Sequence, residues 1–190
     1  MKIYSSHQEF DYSWEEVSTN NWRKYCSWND RSEHVLGVDT LSRTLDPQTK
    51  ILRTERLITC KQNVPVWLQT FIPASTSYVY EVSYIDPDAK KVTMCSQNMT
   101  SNELISIQET VVYSPGRTPG TTAFYQRAKI IALCGGWQKI KNTIEEFTVE
   151  RFKQNAATGR EGFERVLAIS RQVFAEQREQ RKREQQGLAA

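Results

Sequence analysis

The apolar positions of this chain follow two periods, a short one that alternates and a longer one that steps by three and four. Residues 1–10 alternate as a first strand. His34–Leu45, Ile51–Lys61, Tyr78–Ile85, Lys91–Gln97, Leu104–Tyr113 and Thr121–Leu133 alternate in the same way, as half-buried strands do. Asp46-Pro47-Gln48-Thr49 and Asp86-Pro87-Asp88-Ala89 join two pairs of these runs into hairpins, an Asp-Pro start being a turn signal. Ser13 and Glu16 have the spacing of a capping box, and Trp14, Val17, Trp22 and Tyr25 then line a helix face up to about Cys26. After Gly135-Gly136 the period lengthens. Trp137, Ile140, Ile144, Phe147, Arg151, Asn155, Thr158 and Gly162 keep to one face of a long helix, with Gly159 and Gly162 as places where it would kink or end its first half.

The order is therefore strand, helix, six strands, long helix. Sequential hairpins predict an α+β fold, a curved antiparallel sheet of about seven strands wrapped on a long C-terminal helix. One helix laid across a curved sheet leaves a hollow, a cup shaped for a lipid or another hydrophobic ligand. The folded domain is expected over residues 1–175. Residues 176–190 are polar on all sides and read as a charged helix extension or a tail.

Arg151 and Asn155 break the pattern, because they occupy a stripe that should bury apolar side chains. An uncompensated buried cation costs several kcal/mol, roughly. Arg151 must snorkel, pair with a strand carboxylate such as Glu81 or Glu109, or receive an anion from outside the chain. Val64–Pro73 is a second anomaly, an apolar segment bracketed by prolines that displays Val64, Trp67, Leu68, Phe71 and Ile72. It suits a lid, an insertion at a membrane interface, or a loop packed on the core. Lys61 stands just before it, at the mouth of any cavity.

Composition narrows the classes. The 190 residues suit one domain, and 38% hydrophobic with 11% aromatic content suits a folded one. Of the net charge of +3, two units belong to residues 171–190, which hold five Arg/Lys and three Glu. The body lacks the broad basic field that nucleic acid requires. Cys26, Cys60, Cys95 and Cys134 are scattered and make no CxxC. With only His7 and His34 beside them, no metal site is expected, and four buried, reduced thiols are expected rather than disulfides. No run is long and apolar enough for a membrane span, and no cleavable presequence is expected. GxSxG, HExxH and a P-loop are absent, and His34 with Cys60 is a catalytic pair only if the fold unites them, so no catalytic residues and no cofactor are expected.

Several motifs in one collinear sweep carry a resemblance. They are Met1-Lys2-Ile3, Trp14-x-x-Val17, Trp22-Arg23-Lys24-Tyr25, His34 to Asp39, Thr54-Glu55-Arg56-Leu57-Ile58-Thr59, Pro65-Val66-Trp67, Glu109 to Pro115, and Arg151-Phe152-x-x-Asn155. From residue 1 to about 170 the chain resembles the PRELI/MSF (Ups/slowmo) family. The resemblance implies a non-enzymatic carrier of phospholipids between the mitochondrial membranes. It would be soluble in the intermembrane space and paired in a heterodimer with a small protein bearing twin Cys-x9-Cys motifs. It also implies peripheral contact with anionic membranes. The family's head-group pocket falls on Lys24, His34, Arg151 and Asn155, with Lys61 nearby, and its lid on Val64–Pro73. Cys60 and Asn63 stand where some members, notably phosphatidic-acid carriers, have lysines, and Ala157 and Thr158 stand where members often carry a Lys pair. Thr54 to Thr59 and Asn21-Trp22 look more like the slowmo-type branch that carries phosphatidylserine. Phosphatidic acid is the alternative cargo, and a lipid-bound interaction protein that transfers nothing is the alternative class.

Overall fold

The computed structural model describes residues 1–62, 75–135 and 138–187. Seven strands form one sheet: β1 (Lys2–Phe10), β2 (Val35–Leu45), β3 (Leu52–Lys61), β4 (Thr76–Asp86), β5 (Lys91–Asn98), β6 (Ile105–Pro115) and β7 (Thr122–Ala132). Their spatial order is β1-β7-β6-β5-β4-β3-β2. Every neighbouring pair is antiparallel. The sheet is not closed, and β1 and β2 are its edges. β2 meets β3 with two register shifts, between Val35 and Gly37 and between Thr40 and Ser42.

The two Asp-Pro turns share a mechanism. Asp46 Oδ1 accepts from the amides of Gln48 (2.8 Å) and Thr49 (3.3 Å), and Asp86 Oδ1 from those of Asp88 (3.1 Å) and Ala89 (2.8 Å). Each turn then closes through a lysine in the left-handed region, Lys50 at φ 56° and Lys90 at φ 47°.

Helix α1 (Trp14–Asn20) starts at the predicted capping box, both of whose bonds form. It ends earlier than the apolar spacing predicts and continues as a 3-10 turn over Asn21–Arg23. The reason is local. Ser18, Thr19 and Asn20 return their side chains to the carbonyls of Glu15 and Glu16, and such residues favour helix ends over interiors.

Helix α2 (Gln138–Gly187) is unbroken for 50 residues, about 75 Å at the usual rise. The helix does not end its first half at Gly159 or Gly162. Gly162 serves packing instead: a Cβ there would lie 2.8 Å from Arg31 Cβ and 3.0 Å from Asn29 Oδ1. The inward face of α2 includes the predicted stripe at Ile144, Phe147, Arg151 and Gly162 and is wider than it. It also takes in Glu145, Thr148, Phe152, Ala156, Gly159 and Phe163, and it carries Val166, Leu167 and Ser170 into the core. Ile140 is exposed, Arg151 half-buried and Asn155 exposed. From Arg171 to Gln185 every residue is exposed.

Polar ties fix the helix to the sheet end and to α1. Glu145 accepts from the Ala132 amide at 3.0 Å, and Ser170 Oγ donates to Asn20 Oδ1 at 2.6 Å. Arg171 grips both oxygens of Glu16 at 2.8 Å and stacks on Tyr12. That contact holds the Glu16 carboxyl at about 2.

All four cysteines are free, as the spacing predicts, but none is buried. Cys95 is exposed and the others are half-buried, because Cys95 falls on the outward parity of β5. No helix among the described residues is long and apolar enough to cross a membrane.

Candidate functional site

Between the concave face of the sheet and α2 lies a cavity of about 480 Å³. Two apolar clusters bound it. At one end Phe10, Tyr113, Phe124 and Phe163 interlock, with centroids 6.0 Å apart for Phe10–Phe163 and 5.3 Å for Tyr113–Phe124, backed by Val166 and Leu167. At the other end Ile105, Ile130, Ala132 and Ile144 pack together, with Ile107, Phe147 and Phe152 against them.

Between the clusters runs a row of polar side chains, one from each of five neighbouring strands. The register makes Arg56 the partner of Glu81, Glu81 of Ser96, and Ser96 of Glu109. Gln126 follows on β7, opposite Ser6 of β1. Strand alternation turns all of them to the concave face, where apolar neighbours two residues away would lead one to expect more of the same.

Arg56 and Glu81 are 3% and 4% exposed, and the guanidinium donates to Glu81 Oε1 through Nε (2.9 Å) and Nη2 (2.5 Å). The rings of Trp22 and Tyr25 lie 5.1 and 5.9 Å from it. Glu109 accepts from Ser96 Oγ at 3.1 Å and from Gln126 Nε2 at 2.5 Å. Across from this row, Arg160 of α2 lines the cavity and donates to Ser6 Oγ at 2.8 Å.

Lys24, His34, Lys61, Arg151 and Asn155 all line the same cavity. Lys24 follows the 3-10 turn, and its carbonyl accepts from Asn29 Nδ2 (2.8 Å) and Ser32 Oγ (3.2 Å), which pin the loop. Its ammonium sits 5.4 Å from the Tyr25 ring centroid. Burial disfavours the charge on Lys24, but the Tyr25 and Tyr113 hydroxyls and the Glu109 and Glu81 carboxylates outweigh it and raise its pKa. Burial pushes Tyr113 up to about 12, so its hydroxyl keeps its proton. His34 is tied to the end of β3, its carbonyl accepting from the Lys61 amide at 2.7 Å. Burial, with Lys24 nearby, lowers the His34 pKa, so the imidazole is neutral at pH 7.

Arg151 rises from α2 at the rim, its guanidinium 5.9 Å from the Phe147 ring. Among the described residues no carboxylate forms an ion pair with it, and the two that sequence reasoning offered are engaged elsewhere, Glu81 by Arg56 and Glu109 by Ser96 and Gln126. A guanidinium so placed has the chemistry to pair with a phosphate or a carboxylate. Val64, Trp67, Leu68, Phe71 and Ile72 lie outside the described residues, as does Trp137.

The polar row itself was not foreseen. Arg56, Ser96, Gln126 and Arg160 each look like a single exception on an apolar face. The signal lies in the strand pairing, which aligns Thr54-Arg56-Ile58-Cys60 with the parity of Glu81 and Glu109.

Residues 15–173 match the PRELI-like family. The mitochondrial protein UPS2 of Saccharomyces cerevisiae is 42% identical over 179 residues, which cover 93% of this chain and 75% of the relative. A UPS-like protein of Schizosaccharomyces pombe is 41% identical over 177 residues, 92% of this chain and 94% of the relative. In fold, a START superfamily protein from Mycobacterium smegmatis superposes with a TM-score of 0.52 at 13% identity, over 88% of this chain and 98% of that one. The family match runs from α1 to the exposed part of α2 and the relatives match along nearly the whole chain, so this chain belongs to the PRELI-like family.

Proposed function

We propose that this protein carries a single anionic glycerophospholipid, phosphatidylserine, between the outer and inner mitochondrial membranes without altering it chemically. In this reading it works in the intermembrane space as a heterodimer with a small protein bearing twin Cys-x9-Cys motifs, and it meets anionic membranes peripherally. The observation that carries the reading is Arg151, a cation with no protein carboxylate among the described residues, at the rim of a cavity between sheet and helix. Arg151 binds the lipid phosphate through paired charge-assisted hydrogen bonds. Asn155, one turn further along α2, and neutral His34 orient the head group, while Lys24 and Lys61 add positive charge around it. Ile58, Val79, Ile107, Phe147 and Phe152 offer apolar wall to the chains nearest the glycerol.

Conversion of the lipid has little chemical support. Cys60 and His34 share the cavity, but burial pushes the thiol up and the imidazole down, the reverse of what a thiolate–imidazolium pair needs. The cycle is then one of binding states with different affinities for lipid. Mass spectrometry of lipid copurified with the partner-bound protein should find phosphatidylserine. Transfer between vesicles should fall about tenfold or more in Arg151→Ala, with thermal unfolding unchanged. A purified complex without lipid, or one that holds lipid and never delivers it, would sink the carrier reading. Wild-type transfer by Arg151→Ala would remove Arg151 from it.

A further inference from the structure

We propose that Glu109 and Gln126 form a receptor for a primary ammonium group in the cavity wall, and so select a cargo whose head group bears an amine. This rests on the carrier reading above and deepens it.

Gln126 is 6% exposed and lines the cavity. Its Nε2 is committed to Glu109 Oε1, which fixes the amide orientation, since the opposite one would set two acceptors against each other. Its Oε1 is left buried without a hydrogen-bond partner. An unmade bond of this kind costs about 1–3 kcal/mol, and such an atom in a cavity wall marks where a donor is missing.

Glu109 makes the missing donor specific. Its two oxygens take Ser96 Oγ and Gln126 Nε2, both neutral donors. No cation among the described residues forms an ion pair with it. Arg56 is fully engaged by Glu81, and the Lys24 ammonium stays against the Tyr25 ring. A carboxylate has about four acceptor positions, so Glu109 retains acceptor capacity, and its charge acts on the Lys24 ammonium without an ion pair between them. The wall therefore offers two adjacent acceptor groups and the charge of Glu109, next to Glu81, whose charge is already paired with Arg56.

A primary ammonium answers each of these, having three donors, no acceptor and a positive charge. A quaternary ammonium has no N–H, and sugar or glycerol hydroxyls bring no charge. The head group is then serine or ethanolamine. Of the two, only serine adds a carboxylate for Lys24, whose charge the site already favours.

The test uses the full-length chain and phosphatidylcholine vesicles doped with equal amounts of phosphatidylserine and phosphatidic acid, with extracted lipid quantified by mass spectrometry. Glu109→Gln keeps the side chain's shape and removes its charge, and it should lower the ratio of serine lipid to phosphatidic acid about tenfold. Gln126→Met removes the second acceptor and should lower the ratio about threefold. Should Glu109→Gln fail to fold, the second variant decides alone. A ratio equal to wild type in the folded variants overturns the receptor and leaves the carrier reading standing. A wild-type protein that extracts neither lipid overturns both.

Discussion

Two stretches of one helix meet the same sheet in opposite ways. From Gly162 to Ser170, α2 lies close: Gly162 admits Arg31 and Asn29, and Phe163, Val166 and Leu167 are buried among the aromatic side chains of β1, β6 and β7. From Phe147 to Gly159 the helix stands over a hollow, and Arg151 and Asn155 reach only its rim. The helix is continuous across both stretches. Side-chain volume and polarity make the difference, so a few residues decide where the fold is core and where it is container.

The largest expected effect comes from opening the closed end. Phe163→Ala should cost about 3–5 kcal/mol, read by chemical denaturation, because its buried ring contacts Phe10 and Tyr113. A loss well below that range would mean the closed end is already loose. Gly162→Val acts at a different contact of the same stretch. It should cost about 1–3 kcal/mol by overpacking against Arg31 and Asn29, and a neutral result would show that α2 can lift there without penalty.

At the hollow end the expectation reverses. Arg151→Met should change stability by no more than about 0.5 kcal/mol, as at surface positions, because its removal strands no buried carboxylate. A larger loss would place Arg151 with the structural residues. The smallest effect is a matter of pH. The folded-state pKa of His34 lies below its ordinary 6.5, so as pH falls through that value the unfolded chain takes up the proton first. Stability should decline on the acid side of about 6.5 and level off below the folded pKa. His34→Gln should flatten that portion of the profile.

The fold was legible in the sequence because its signals are local. Alternation, two Asp-Pro turns and a capping box mark strands and α1 within one or two residues, apart from the early end of α1, where Ser18, Thr19 and Asn20 bond back to the chain. The stripe of α2 named part of its inward face, which is wider and also takes in Glu145, Thr148, Phe152 and Phe163. The site was legible where residues depart from an apolar pattern on their own element, as Arg151 does. It was hidden where the departure has meaning only across strands: Arg56, Ser96 and Gln126 become one row through register, which no single strand records.

The two register shifts in β2 bear on how an open sheet border avoids pairing with another chain. An unpaired strand edge is a template onto which another chain can zip, and this one is eleven residues long with Leu36, Leu41 and Leu45 exposed. Each bulge interrupts the row of outward N–H and C=O groups and twists it away from straight. A visiting strand would find alignment for only a few residues before losing it at Gly37 or Ser42. The irregularities at Val35/Gly37 and Thr40/Ser42 therefore act as a guard against self-assembly at the open border of the sheet.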